Sequence, residues 1–365
     1  MRLARAALLS LPALLTVAPM AAAADVSGVG GVIGTAATLR DFMTQNVCLG
    51  AAGTVLIGVS PIDGNPACLD QRDLRPGEPL PYHKDDQPAP DERARLPDGY
   101  QRHDSFPVVT AGLGDVVEDS FDFGAGEGRR FGVFDAGSDG GDIVVLSPDA
   151  AAIAATRDAS GFGLWVGECA GQVSAASLTH AWLIARFDPR RPAPLAGDTI
   201  ARLNGVVAAR GADCPARFNA AFTRWRVAPF RYRAAPGQGS SITLPTLISE
   251  HYGGADPATA DHVERFYFTR ELGGTRWERW QNAAGDALFS TTWIARQAAW
   301  FAATGRCSPA PMPRGGARML MIDCREWTNI VPPIDPAGDA PGFFLKAMRA
   351  LPETPAFFAA PTGPR

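Results

Sequence analysis

Short apolar runs separated by turn residues recur along the chain. Residues 54–60 (TVLIGVS) are β-branched and aliphatic and end at Pro61, which predicts a short strand. Further runs of this kind are separated mostly by Gly or Asp-Gly, and they span residues 116–123, 130–135, 142–147, 151–157 and 162–166. Because parallel strands need crossovers of about a dozen residues or more, these short gaps predict antiparallel hairpins.

The second half of the chain adds longer strand-like runs and two helices. Strands are expected within residues 178–187, 218–233, 241–250 and 317–323. Residues 292–304 lack Gly and Pro until Gly305, and residues 342–351 end at Pro352, so each predicts a helix. Residues 74–107 carry many prolines without periodicity and predict one long folded loop that lines a cleft.

These elements predict a mainly β fold. We expect an antiparallel β-sandwich of the jelly-roll or lectin-like kind, with a few short helices and disulfide bonds. The 39 glycines and 31 prolines among 365 residues exclude long helical bundles, because both residues interrupt helices.

The first residues predict export. Arg2 and Arg5 precede an apolar run, and four alanines at 21–24 follow it, which is the layout of a cleaved signal peptide. We therefore expect residues 1–24 to be a signal peptide and residues 25–365 to form a single β-rich domain. The apolar run is too short for a membrane span of about 20 residues, so a periplasmic or extracellular protein is expected.

Six cysteines lie in the predicted exported part, and none has the close spacing of a zinc cluster. An even number of cysteines in an oxidising compartment predicts disulfide bonds. The cysteines fall into three consecutive pairs along the chain, so the predicted bonds are Cys48–Cys68, Cys169–Cys214 and Cys307–Cys324.

The clearest hairpin lies in residues 261–281, around a two-residue turn at Leu272-Gly273 or Gly273-Gly274. Side chains alternate along a strand, so its residues divide between two faces. One face would carry Phe266, Phe268 and Trp277, and we expect it to form the core. The other would present charged and aromatic groups to a ligand: Arg265, Tyr267, Arg276, Glu278 and Trp280.

Three proton-transfer groups stand just before this hairpin, namely Glu250, His251 and Tyr252. Together with Glu278 they predict acid–base chemistry. Two carboxylates could cleave a glycosidic bond, or His251 and Tyr252 with an arginine could eliminate across an acidic polysaccharide. The alternative is that these residues simply end a strand.

The Pro-rich segment contributes His83 and His103, each beside aspartates, as candidate substrate-binding residues. The spacing is not diagnostic of a metal site, and we expect no metal and no cofactor. Walker, GxSxG and HExxH motifs are absent from the sequence, and 34 basic against 38 acidic residues do not give the basic surface of a nucleic-acid-binding protein.

Two functions therefore stay open. The first is a secreted carbohydrate-active enzyme, a glycoside hydrolase or polysaccharide lyase. The second is a non-catalytic envelope or extracellular protein that binds a glycan or a partner through the same aromatic face. A β-sandwich fold accommodates both, so the arrangement of the side chains must decide between them.

Overall fold

The computed structural model describes residues 31–85, 102–107, 115–122, 142–146, 148–155, 163–166, 169–172, 182–202, 220–233, 241–286, 289–305 and 307–333. The fold is mainly β, and all strand pairs in these ranges are antiparallel. The mainly β, antiparallel prediction is confirmed. The finer assignment to a jelly-roll or lectin-like sandwich stays a prediction.

The described elements are two helices and seventeen strands. The helices are α1 (Ala36–Met43) and α2 (Thr291–Thr304). The strands are β1 (Asn46–Leu49), β2 (Asp70–Asp73), β3 (His83–Asp85), β4 (Arg102–Pro107), β5 (Asp115–Asp122), β6 (Asp142–Leu146), β7 (Ala150–Ala155), β8 (Gly163–Val166), β9 (Cys169–Gln172), β10 (Trp182–Arg186), β11 (Ala196–Arg202), β12 (Ala220–Tyr232), β13 (Ile242–Tyr252), β14 (His262–Thr269), β15 (Gly273–Asn282), β16 (Met319–Glu326) and β17 (Asn329–Val331).

Two large sheets organise these strands. One follows chain order, β11-β12-β13-β14-β15-β16, so each strand pairs with the next in sequence. The other has the order β10-β7-β6-β5-β4-β3-β17, in which β17 returns from the end of the described chain to pair with β3. The pairs β1-β2 and β8-β9 form two small additional sheets.

The two large sheets meet at several points. The Ser249 hydroxyl of β13 donates to the Ile184 carbonyl of β10, 2.7 Å away. Helix α1 contacts β14 and β15 of one sheet and β6 and β7 of the other. Its residues Leu39, Phe42 and Met43 are fully buried. One short helix therefore fills the space between the two sheets, because its apolar side chains have surfaces from both to pack against.

Helix α2 confirms the predicted helix at 292–304. Ser290 caps its first turn by accepting from the Trp293 amide at 3.3 Å, and Gly305 ends it in the left-handed conformation at φ 58°. No helix in the described ranges is long and apolar enough to cross a membrane. The predicted helix at 342–351 lies outside the described residues.

Two expectations from the sequence were wrong. Residues 54–60 do not form a strand: Thr54 ends a 3-10 turn over Ala51–Gly53, and Gly58 at φ 69° turns the chain away after one bridge between Leu49 and Val55. The Pro-rich segment is not wholly irregular, because β3 and β4 are paired strands within it. In the Pro-rich segment, pairing of β3 and β4 with neighbouring strands outweighed the low strand propensity. The predicted strand at 130–135 lies outside the described residues.

Two of the three predicted disulfide bonds are confirmed. Cys48–Cys68 joins β1 to the chain just before β2, and Cys307–Cys324 joins β16 to the segment after α2. The predicted Cys169–Cys214 bond includes Cys214, which lies outside the described residues.

Breaking either confirmed bond is expected to destabilise the protein. Replacing both cysteines of one pair with serine increases the conformational entropy of the unfolded chain. The free energy of unfolding should therefore fall by about 2–4 kcal/mol. The loops span 20 and 17 residues, so the two losses should be similar. Urea unfolding of each double variant measures the loss, and an unchanged midpoint would contradict this prediction.

Candidate functional site

The hairpin β14–β15 aligns the predicted ligand-binding residues on one face of the six-stranded sheet. Arg265 stands opposite Glu278, and Tyr267 stands opposite Arg276. This confirms that the four residues share a face. The turn itself differs from the prediction: residues 270–272 connect the strands, Gly273 has φ 63°, and a bulge follows. The bulge adds one residue to β15, so the residues after it still point to the faces that the sequence predicts.

This charged face is buried, opposite to the expectation from the sequence. Arg265, Tyr267 and Arg276 are each 1% exposed, and Glu278 is 0% exposed. On the face expected to be the core, Phe268 is buried as predicted, but Phe266 and Trp277 are partly exposed. The inversion follows from a segment, residues 307–316, that lies across the charged face. We call this segment the strap.

A row of alternating charge runs across the sheet beneath the strap. Consecutive strands β11 to β15 pair Asp198 with Arg224, Arg224 with Glu250, Glu250 with Arg265, and Arg265 with Glu278. Asp198 at the edge is exposed, whereas Glu250 and Glu278 are buried. Arg224, Glu250 and Arg265 thus have opposite charges on both neighbouring strands, and Asp198 and Glu278 have one on one side, which favours this register.

Glu278 is the most enclosed member of the row. Its carboxylate accepts hydrogen bonds from Arg265 at 3.0 Å, Tyr267 at 2.8 Å and Trp280 at 2.7 Å, and it pairs with Arg276 at 2.6 Å. Burial by itself would raise the pKa of Glu278, but the two arginines outweigh it and hold the pKa below its usual value. Glu278 is therefore a charged hydrogen-bond acceptor with its oxygens already occupied.

Glu250 is similarly saturated. It pairs with Arg265 at 2.8 Å, accepts from the Tyr252 hydroxyl at 3.2 Å, and lies 3.4 Å from Arg226. Burial, with the nearby Glu250 charge, raises the pKa of Tyr252. The Arg265 guanidinium thus bridges the two predicted catalytic carboxylates.

A second row extends the network towards the strap. Arg276 bonds Glu326 on β16, and Glu326 accepts from both the amide and the hydroxyl of Ser308, each at 3.1 Å. The strap completes the enclosure through its own carbonyls: Arg265 donates to Pro311 at 2.9 Å, and Arg276 donates to Ser308 at 2.8 Å.

His251 is not part of this network. Side chains alternate along β13, so His251 projects from the opposite face, where its Nε2 lies 2.8 Å from the Ser249 hydroxyl. The ring is buried against Phe266, at 5.2 Å between centroids. Burial lowers the pKa of His251 to about 3, so the ring is neutral at physiological pH. The structure therefore brings Glu250, Tyr252 and Glu278 together but separates His251 from them.

This geometry does not suit acid–base catalysis. A general acid in glycosidic cleavage needs a raised pKa, whereas the pKa of Glu278 is lowered. A substrate also needs access, whereas all four candidate catalytic residues are at most 2% exposed. In this structure the charged face therefore holds strands and strap together.

The two predicted substrate-binding histidines lie at the junction between the large sheets. The Nδ1 atom of His83 is 2.6 Å from an Asp104 oxygen, and both side chains are fully buried. The His103 ring packs against Trp327, and burial holds its pKa well below the usual value, with the Lys84 charge adding to this effect. Within the described residues no three metal-ligating side chains cluster, here or elsewhere.

Lys84 ties this junction together. Its buried ammonium on β3 donates to the carbonyls of Leu272 and Gly274 in the hairpin turn, and to the Ser105 hydroxyl at 3.2 Å. The Gly274 amide returns a bond to Ser105 at 2.9 Å. A Cβ on Gly274 would lie 2.3 Å from the His103 ring, so glycine is required for this close approach. His103 thus serves the contact between the sheets, whereas His83 pairs with Asp104 within the seven-stranded sheet.

The accessible aromatic surface is on the reverse side of the hairpin. We call Glu264, Phe266, Trp277 and Arg279 the open face, because all four are partly exposed. The Trp277 indole donates to Glu264 at 3.1 Å. The Arg279 guanidinium lies 5.8 Å from the Phe289 ring centroid, and Phe289 stacks on Trp293 of α2 at 4.6 Å. Sequence reasoning assigned these residues to the core because aromatic rings usually are buried, although their alternation with Glu264 and Arg279 was visible.

Comparisons of the chain with models of known protein families, with curated proteins and with solved structures find no match.

Removing the carboxylate of Glu278 is expected to lower the free energy of unfolding strongly. In Glu278→Ala, Arg265 and Arg276 lose a shared buried partner, and an uncompensated buried charge costs about 3–5 kcal/mol. Asp323→Ala is the matched control, because Asp323 pairs with Arg325 at 2.9 Å but is 35% exposed. A surface pair contributes about 1 kcal/mol or less. Urea unfolding compares the two, and equal losses would show that the network is not structural.

The buried histidine predicts a pH dependence of stability. His251 takes up a proton below about pH 6.5 when unfolded but only near pH 3 when folded, so unfolding binds about one extra proton between these values. The free energy of unfolding should therefore fall as the pH drops below 6.5, with His103 acting in the same direction. His251→Gln should flatten this slope between pH 5 and 6.5 in urea titrations. An unchanged slope would contradict the assignment.

Proposed function

We propose that this protein binds a glycan through the open face and does not cleave it. The observation that carries the proposal is the contrast between the two sides of one hairpin. Glu250, Tyr252 and Glu278 are buried and paired on the strap side, whereas partly exposed aromatic rings stand beside a carboxylate and a guanidinium on the other side.

The open face has the chemistry that a sugar requires. A pyranose ring has an apolar side that stacks on aromatic rings, here Trp277 and Phe266. Its hydroxyls donate to carboxylates and accept from guanidinium groups, here Glu264 and Arg279. The side chains of Glu264 and Arg279 remain 12% and 19% exposed at a separation of 3.9 Å. These residues stand on paired strands of a six-stranded sheet, so their side chains lose little conformational entropy when a ligand binds.

A second candidate function is polysaccharide cleavage, as a hydrolase or lyase. It is favoured by the convergence of Glu250 and Glu278 on the single Arg265 guanidinium, with Tyr252 and Tyr267 beside them. This reaction would require the strap to leave the charged face, and it ranks second for that reason.

The proposal extends to location and architecture. The two disulfide bonds are compatible with an exported protein, and we infer a periplasmic or extracellular site of action. We also infer that the two large sheets form a sandwich of the jelly-roll or lectin-like kind. The contacts of β10 with β12 and β13, and of α1 with both sheets, support this arrangement. The open face lies on the same side of its sheet as the Ser249–Ile184 bond, on β14 and β15, where its side chains remain partly exposed beside these contacts.

A binding screen with a matched variant tests the function. The full chain is titrated against a panel of soluble polysaccharides, and Trp277→Ala is compared on the best ligand. Loss of a stacked aromatic ring should weaken binding roughly tenfold, since such contacts contribute about 1.5 kcal/mol beyond burial. Phe222→Ala is the control, because it removes a partly buried ring that packs on Tyr252 on the charged side of the sheet, away from the open face.

Reducing-end and unsaturated-uronate assays on the same panel separate the two candidates. Binding that is lost in Trp277→Ala but kept in Phe222→Ala, without product formation, supports the open face. Equal binding by both variants would contradict it. Product formation that disappears in Glu250→Gln would favour the enzyme instead.

A further inference from the structure

The strap is attached differently at its two ends. At one end Cys307 is bonded to the fully buried Cys324 of β16. At the other end Gly315 and Gly316 adjoin the loop before β14. A Cβ on Gly315 would lie 2.5 Å from the Pro257 carbonyl, and Gly316 has φ 93°, a conformation that favours glycine. One end is therefore covalently fixed. The other ends in two glycines, of which Gly315 packs closely on the Pro257 carbonyl and Gly316 has the backbone freedom that a hinge uses.

Between its ends the strap is held by side chains. Arg265, Arg276 and Tyr252 donate to its carbonyls at Pro311, Ser308 and Arg314, at 2.9, 2.8 and 2.5 Å. In the described ranges, residues 308–316 belong to no strand. The outer side of the strap is exposed, with Met312 at 50%. The strap can thus leave the surface without breaking a strand ladder.

The groups beneath the strap have opposing effects on its closure. Their bonds to the strap carbonyls favour the closed position. Enclosing Arg265, Arg276 and their carboxylates also deprives these charges of water, which opposes closure. These two effects oppose each other, and the covalent anchor at Cys307 is a further constraint that favours the closed position.

We propose that the strap is a thiol-responsive lid, which swings about Gly315–Gly316 and uncovers the charged face when the Cys307–Cys324 bond is reduced. The proposal does not depend on glycan binding at the open face, which lies on the other side of the sheet.

The chemical step is a thiol–disulfide exchange with a dithiol. The attacking thiolate bonds to the Cys307 sulfur, because Cys307 is partly exposed and Cys324 is not. The S–S bond breaks, and Cys324 leaves as a thiolate that takes up a proton. The second thiol of the reductant then displaces Cys307 as a thiol and closes the reductant's own disulfide. Two electrons pass from the dithiol to the cysteine pair, and the protein changes only in losing this crosslink.

Arginine labelling reports the opening directly. The folded full chain is treated with phenylglyoxal, with and without mild dithiothreitol, and labelled arginines are mapped by mass spectrometry. Arg265 and Arg276 are buried under the closed strap, whereas Arg231 is exposed and serves as an internal standard. We expect reduction to raise labelling of Arg265 and Arg276 several-fold relative to Arg231. Cys307→Ser with Cys324→Ser should show the raised labelling without reductant.

Two comparisons distinguish opening of the strap from unfolding of the whole protein. Cys48→Ser with Cys68→Ser, left unreduced, should label like the wild type, because this bond does not anchor the strap. Hydrogen exchange should accelerate at the strap amides while β14 and β15 stay protected. Unchanged labelling on reduction would overturn the proposal. So would simultaneous loss of protection in the strap and the hairpin, which would indicate unfolding of the reduced protein. If the double variants do not fold, stepwise reduction of the wild type alone gives the same distinction.

Discussion

The alternation of charge across the six-stranded sheet is the interaction on which the rest of the structure depends. Glu250, Arg265 and Glu278 stand side by side on three consecutive strands and are almost completely buried. None of them is tolerable in that position alone, because a buried charge without a partner is strongly unfavourable. Their pairing therefore fixes the register of β13, β14 and β15, and a slip of one residue would move every charge to the other face.

The same requirement explains the strap and, through it, the orientation of the sheet. Arginine has five N–H donors, more than the neighbouring carboxylates of Arg265 and Arg276 accept. The backbone carbonyls of Pro311 and Ser308 each accept from a guanidinium nitrogen, of Arg265 and Arg276 respectively. The strap thereby shields this side from solvent, and the aromatic rings on the other side are left partly exposed. The enclosure of one face and the partial exposure of the aromatic rings on the other, through which we propose glycan binding, thus have a common origin.

A second buried cation performs the corresponding task between the sheets. Lys84 binds two carbonyls of the β14–β15 turn, so the hairpin that carries the charge row is also fastened to β3. Helix α1 packs against the same hairpin. A rigid hairpin is suited to presenting Trp277 and Glu264 in fixed positions, since preorganised groups lose little entropy on binding.

The sequence by itself determined the antiparallel β class, helix α2, the pairing of Cys48 with Cys68 and of Cys307 with Cys324, and the residues that share a face of the hairpin. All of these follow from local spacing, because alternation and short loops are encoded within a few residues. Only the tertiary structure decided which face of the hairpin is buried. The aromatic rings indicated that the face with Phe266 and Trp277 is buried. The strap instead supplies the partners that bury the charged face, and its Ser308 lies more than thirty residues after Arg276 in the chain. A covering segment that is distant in sequence leaves no periodic pattern in the strand that it covers. The local alternation therefore predicted Glu250 and Glu278 at an accessible surface, which the folded chain covers.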